Sequence, residues 1–390
     1  MRRAMRGLVG LVLVTAAIAG SPARPSAAAA PAPSPVVLAP GQDMYRPPAE
    51  LVSGPAGSLV WYQQKASTVA GAEAWRILFR SRSADNEPVL VSGDLFRPAG
   101  PAPPGGFPVL SWAVGSVGLA DVCAPSRRPS FVPELARALQ AGFVVVATDG
   151  EGLGTRGPAH YLIGASEAHT ILDSARAARK MPGARAGHRV GLWGYSSGGH
   201  GVLFAAAEAA RYAPGLELLG TVAVAPVVDV GRLAGRPGTF PGFTFLTLGG
   251  WAKLHRLDPS TVFTDAVIRR LPRLNTECTA NYIFDWALWQ AQDVVVADPL
   301  QTQPWKRLLR QQLAGRSSIT GPLLVIQGLA DPVVSSEATA SMAARLCAFG
   351  DTVEHVTLPG QSHDIAYSTG TRAIDWFSAR VARTPPLSTC

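Results

Sequence analysis

Between Pro108 and Leu358, short apolar runs alternate with helical stretches, and this alternation constrains the fold more than any other feature of the chain. The runs Pro108 to Ser111 (extended into Ala113), Phe143 to Thr148, Arg189 to Trp193, Thr221 to Ala225, Leu323 to Gln327 and Val353 to Leu358 predict strands. Helical patterns lie between and after them, at Val132 to Gln140, Ser166 to Lys180, Gly199 to Tyr212, Ser336 to Phe349 and Arg372 to Ala382. A strand that is apolar throughout is buried on both faces, and a helix between such strands allows the next to return parallel. The expectation is an α/β fold: a mainly parallel sheet covered by helices on both faces. With 47% hydrophobic and 16% charged residues in 390, the chain can build a core of that size.

One stretch breaks the rhythm. Residues 229–320 show no clean alternation and are too long for a simple loop, so they predict a helical cap inserted between core segments 41–228 and 321–390. The insertion carries Phe240, Phe243, Phe245, Trp251, Tyr282, Phe284, Trp286 and Trp289. These aromatics fit a lid or acyl-binding wall, or simply the core of a subdomain. Pro98 to Pro108 reads as an exposed loop.

The beginning of the chain reads as an address. Arg2, Arg3 and Arg6 precede an apolar run from Gly7 to Gly20, and Ala27 to Ala30 offers a small-residue cleavage site. That is the order of a secretory signal peptide over residues 1–30, followed by an Ala/Pro leader at 31–40. No apolar run is long enough to span a bilayer, and the mature protein is expected to be secreted. Removing Arg2, Arg3, Arg6 and Arg24 would take the formal charge from +8 to +4. The remaining basic residues are scattered, which argues against nucleic acid and leaves room only for transient contact with lipid surfaces. Cys123, Cys278, Cys347 and Cys390 are even in number and widely spaced, as for two disulfides in an oxidising compartment, with three pairings open. They form no zinc-like cluster, and neither metal nor cofactor is expected.

The chemistry concentrates at Gly194-Tyr195-Ser196-Ser197-Gly198, a G-x-S-x-G after the RVGLW strand and at the head of an Ala-rich helix. A nucleophilic serine needs a sharp strand-to-helix turn, and the flanking glycines let strand and helix approach closely. The Ser197 N–H then faces the developing oxyanion. A serine also needs a base. His363 follows the last strand, whereas His160, His169 and His188 precede the serine, His200 lies in the helix it opens, His255 in the insertion and His355 in a strand. Asp331, beyond Leu323 to Gln327, is the candidate acid, with Asp229 as the alternative. Ser196, Asp331 and His363 follow one another in the order of the α/β-hydrolases. Gly115 and the Ser116 N–H, after the first predicted strand, are candidates for the second oxyanion donor. Gly152 to Gly157 matches G-x-G-x-x-G, but Pro158 follows and no helix starts there, so a dinucleotide would lack its pyrophosphate site.

Five segments together resemble the secretory lipase family, which includes fungal lipase A-like enzymes and bacterial members: SWAVGSVGLADVCAPS (Ser111 to Ser126), TDGEGLGTRGPAHYL (Thr148 to Leu162), GYSSGGH (Gly194 to His200), GLADPVV (Gly328 to Val334) and GQSH (Gly360 to His363). The resemblance covers roughly Pro40 to Cys390. It implies an α/β-hydrolase fold with a helical cap, hydrolysis of acylglycerols or simpler esters without a metal, and Ser196, Asp331 and His363 at the triad positions. It also implies disulfides Cys123–Cys278 and Cys347–Cys390. The chain departs from the bacterial pattern at Val114, where a histidine is usual, and at Gly150, where an aromatic is usual. The sequence alone leaves open an acyltransferase acting on cell-envelope lipids or alcohols, or a non-catalytic envelope-binding protein on the same scaffold.

Overall fold

The computed structural model describes residues 34–128, 132–235, 241–286 and 288–390. The proposed signal peptide and the start of the leader lie outside these residues, as does Phe240. Strands β1 (Val36–Val37), β2 (Leu59–Lys65), β3 (Glu73–Arg82), β4 (Pro88–Arg97), β5 (Phe107–Ala113), β6 (Val144–Thr148), β7 (Ala186–Tyr195), β8 (Glu217–Val224), β9 (Leu323–Gly328) and β10 (Val353–Leu358) form one sheet. Its order is β1-β2-β3-β4-β6-β5-β7-β8-β9-β10. From β6 to β10 every neighbouring pair is parallel.

The alternating half of the sequence thus becomes the expected parallel sheet, and an antiparallel meander of β2, β3 and β4 extends it. Sequence reasoning missed this meander because buried polar side chains interrupt its apolar pattern. In β3, Arg80 is only 3% exposed, its guanidinium donating to the Leu51 carbonyl at 2.9 Å and the Ser58 hydroxyl at 3.0 Å. In β4, buried Asp94 meets Lys65 at 2.6 Å. Such partners offset the desolvation that would otherwise keep these groups at the surface.

Helices cover both faces. Helices α2 (Gly164–Lys180) and α3 (Ser197–Tyr212) bury Ala168, Ile171, Val202 and Ala206 on one face; α1 (Leu135–Gln140) and α11 (Gly370–Val381) bury Leu139, Ile374 and Phe377 on the other. We number the remaining helices α4 (Val230–Ala234), α5 (Pro241–Leu254), α6 (Asp265–Ile268), α7 (Thr279–Asp285), α8 (Ala291–Val294), α9 (Trp305–Gln311) and α10 (Ser336–Ala348). Those from α4 to α9 lie between β8 and β9.

This insertion is built round an aromatic cluster that also takes in Leu162, Ile163, Val227 and Val334 from outside it. Phe245, Trp251, Tyr282, Trp286 and Trp305 are buried together, with Phe245 stacked on Trp286 at 4.5 Å. The disulfide Cys123–Cys278 ties it to the segment after β5, and Cys347–Cys390 fastens the end of the chain to α10. That terminal segment runs beside β10, where the Thr389 N–H donates to the Val353 carbonyl at 2.7 Å and the His355 N–H to the Thr389 hydroxyl at 3.1 Å.

The strand order places the site. From β5 the chain moves outward to β6, then crosses back to β7 on the other side of β5. Beyond the C-terminal ends of β5 and β7 the connections diverge, which opens a crevice where α/β sheets bind their ligands.

Candidate active site

At the end of β7 the backbone turns abruptly. Ser196 has φ 55° and ψ −116°, and α3 begins at the next residue. Positive φ is costly for a residue with a side chain and persists only where the surroundings hold it. Here the Ser196 N–H donates to Val224 at 3.0 Å, and its carbonyl accepts from Val227 and His200, both at 3.1 Å. The turn also requires its glycines. A Cβ on Gly194 would lie 2.2 Å from the Gly198 carbonyl oxygen, and one on Gly198 would lie 2.0 Å from that of Ala113. Both obstacles are backbone and cannot swing aside.

The turn aims Ser196 Oγ at His363, whose Nε2 lies 3.0 Å away. His363 sits in the loop after β10. Its carbonyl accepts from the Ile365 N–H at 2.9 Å and the Tyr195 hydroxyl at 3.2 Å, so the residue beside the serine also steadies the histidine. The other ring nitrogen, Nδ1, stands 2.8 Å from Asp331 Oδ2. The Asp331 side chain has no exposed surface. Its Oδ1 accepts from the Val333 N–H at 2.8 Å and the Val334 N–H at 2.9 Å, and its Oδ2 also accepts from Gln327 Nε2 at 2.9 Å.

Burial pushes the Asp331 pKa up, but the His363 hydrogen bond and charge, with the two backbone donors, hold it below the ordinary value. An ionised carboxylate only accepts, so in the neutral ring Nδ1 carries the proton and Nε2 presents a lone pair to the Ser196 hydroxyl. Gln327 was readable only as a strand residue. In the structure it is wholly buried and its Oε1 accepts from the Thr339 hydroxyl at 3.0 Å, which fixes the amide donating to Asp331. Asp229, the alternative acid, instead caps α4 by accepting from the Arg232 N–H at 3.1 Å.

The loop after β5 lies against the serine: a Cβ on Gly115 would come within 3.4 Å of Ser196 Cβ. Ser116 and Ser197 sit side by side, their hydroxyls 3.3 Å apart. Behind them is a cavity of about 90 Å³ bordered by Gly115, Ser116, Glu151, Tyr161, Ser197 and Gly198. Val114 and Gly150, the two departures from the family pattern, line it as well.

In that cavity Glu151 accepts from the Ser166 hydroxyl, yet burial raises its pKa to about 7. Burial lowers the neighbouring His160 to about 4, although the backbone carbonyl of Pro158 pulls the other way. The two side chains are 3.3 Å apart, but between those values both are largely uncharged, so the contact is not an ion pair at mildly acidic pH. His200 is also occupied elsewhere, between Glu167 at 2.6 Å and the Gln312 carbonyl at 3.1 Å. The segment Gly152 to Gly157 runs as a turn followed by bends, and the next helix begins only at Gly164. Among the described residues, no group of three or more His, Cys, Asp or Glu is arranged to hold a metal ion.

A larger groove of about 990 Å³ separates the insertion from the segment after β5, with Leu119, Val122, Leu257, Ile268, Leu271 and Leu274 on its walls. Phe243, Phe245, Trp251, Tyr282 and Trp286 are instead buried in the insertion's aromatic cluster.

Comparison with known proteins agrees with this architecture. The chain is 27% identical over 241 residues to Lipase A of Moesziomyces aphidis, covering 56% of this chain and 50% of that lipase, so it spans about half the length of that relative. It is 25% identical over 319 residues to a probable inactive lipase of Mycobacterium tuberculosis, covering 73% of this chain and 70% of the relative. Candida antarctica lipase A superposes with a TM-score of 0.76 at 20% identity, over 89% of this chain and 87% of that one. The rice cell wall degrading esterase LipA of Xanthomonas oryzae superposes at 0.72 and 17% identity, over 85% and 100%. These two likenesses establish an α/β-hydrolase fold. The secretory lipase family model matches residues 132–389, and the chain belongs to that family.

Proposed function

We propose that the protein is an exported serine hydrolase that cleaves carboxylic esters of apolar acyl groups through an acyl-enzyme. The observation that carries this reading is the unbroken line from Ser196 Oγ to His363 Nε2 at 3.0 Å and from His363 Nδ1 to Asp331 at 2.8 Å. In the reaction, His363 Nε2 takes the Ser196 proton as Oγ attacks the ester carbonyl. The N–H groups of Ser197 and Ser116 hold the oxyanion. His363 then gives its proton to the leaving alcohol. In the second half a water loses a proton to His363, attacks the acyl carbon and releases the acid, returning the proton to Ser196. The groove between the insertion and the segment after β5, which meets the cavity behind Ser116 and Ser197 at Ala159 and has several leucines on its walls, supports acyl esters as substrates. The arginine-flanked apolar start of the chain and its two disulfides support export.

The name of the mycobacterial relative favours a second reading, a non-catalytic protein on the same scaffold. Hydrolysis of p-nitrophenyl esters from short to long acyl chains separates the two. The wild-type protein should turn over at least part of the series, and Ser196→Ala should lower kcat by about 10⁶-fold while remaining folded. Absence of turnover, together with failure of a fluorophosphonate to label Ser196, would establish the non-catalytic reading.

A further inference from the structure

The oxyanion loop from Val114 to Gly118 contains a single polar side chain, that of Ser116. Its end is pinned by the cap: the Thr279 N–H donates to the Val117 carbonyl at 3.0 Å, and Gly118 bridges to Cys278. Its start is pinned by β5. At its middle, the Ser116 hydroxyl lies 2.6 Å from the Tyr161 hydroxyl and donates to Ser197 Oγ at 3.3 Å. A hydroxyl has one proton, so if Ser116 donates to Ser197, Tyr161 must be the donor to Ser116. Burial raises the Tyr161 pKa far above the usual phenol range, which keeps that donor protonated.

Tyr161 is itself held on both sides. Its carbonyl accepts from the indole N–H of Trp251 in α5 at 3.0 Å, and the next residue, Leu162, donates its N–H to Glu167 of α2 at 3.0 Å. The middle of the loop is thus held by two hydroxyl contacts of Ser116, the shorter of which, at 2.6 Å, is to the phenol of Tyr161.

We infer that Tyr161 is a positioning residue for ester hydrolysis: through Ser116 it fixes the oxyanion loop against Ser197, so that the two backbone N–H groups stand ready for the transition state. The inference rests on the proposed role of Ser196. It differs from a packing role because the ring can stay while the hydroxyl is removed.

The test compares Tyr161→Phe, Ser116→Ala and the double variant by three readouts: kcat and KM on a p-nitrophenyl ester, the second-order rate of Ser196 labelling by a fluorophosphonate, and Tm. In Tyr161→Phe, kcat and the labelling rate should fall together by roughly 10- to 100-fold, with KM close to wild type. The double variant should be no slower than Ser116→Ala, because both changes break one chain of contacts. A folded Tyr161→Phe protein with wild-type kcat and labelling would overturn the inference, as would losses that multiply in the double variant. Wild-type protein that neither labels nor turns over ester would overturn the proposed function itself, a distinct result.

Discussion

Two buried carboxylates near the serine show how environment sets ionisation. Asp331 has four hydrogen-bond donors around it and stays ionised. Glu151 has the Ser166 hydroxyl and a His160 that is itself largely uncharged, and burial makes it hold its proton to about 7. The consequences for stability have opposite signs. For Asp331, with its folded pKa depressed, the contribution is present at neutral pH and lost as pH falls through the folded value. For Glu151, the folded chain keeps a proton that the unfolded chain releases above about 4.5, so stability erodes as pH rises towards about 7. Glu151→Gln should therefore gain Tm over wild type progressively across that window, by a few degrees, and then level off. His160 works in the opposite sense between about 6.5 and 4 and touches Glu151 at 3.3 Å, so the comparison is read above about 6.5, where His160 is neutral in both the folded and the unfolded chain. A Tm difference independent of pH would show that Glu151 is not protonated in the fold.

At the scale of elements, what the sequence disclosed depended on whether a feature was local. Each of the six runs became a strand: the central ones, such as β5 and β9, because a segment buried on both faces is apolar throughout, and β10 at the edge despite being only partly buried. Strands β3 and β4 escaped because Arg80 and Asp94 find their partners elsewhere in the chain, and a linear pattern does not record partners. The same holds around the candidate site. Ser196, Asp331 and His363 were legible as strand-end positions, and the structure brings their side chains within hydrogen-bonding reach. Gln327 and Tyr161 were not, because their significance lies in which atoms they meet.

The Cys123–Cys278 disulfide belongs to this scale too, since it fastens the cap to the segment after β5 across 155 residues. Chain entropy for a loop that long gives at most about 5 kcal/mol, and measured disulfides commonly supply about 2–4 kcal/mol. Replacing both cysteines by alanine should lower the unfolding free energy by an amount in that range, which reads as a fall in Tm of several degrees under non-reducing conditions. An unchanged Tm would mean that the cap holds its place without the bond.

Across the whole molecule, a ten-stranded sheet has two edges that could recruit strands from other chains. At one edge β1 is only two residues long, too short to template much pairing. At the other, the terminal segment occupies Val353 and His355 of β10 and is fastened by Cys347–Cys390. Mild reduction should open Cys347–Cys390, whose Cys390 is exposed, ahead of Cys123–Cys278, whose Cys123 is buried, and release this segment while the buried core stays folded. The reduced protein should then scatter light on concentration at an unchanged far-ultraviolet spectrum, and Cys347→Ser should behave the same way without reductant. A reduced sample that stays monodisperse would show that the hydrogen bonds hold the segment by themselves. On this prediction the Cys347–Cys390 disulfide acts as a redox-sensitive guard on a sheet edge: with the bond closed the β10 edge is covered, and with it open the same backbone groups are free to recruit a strand.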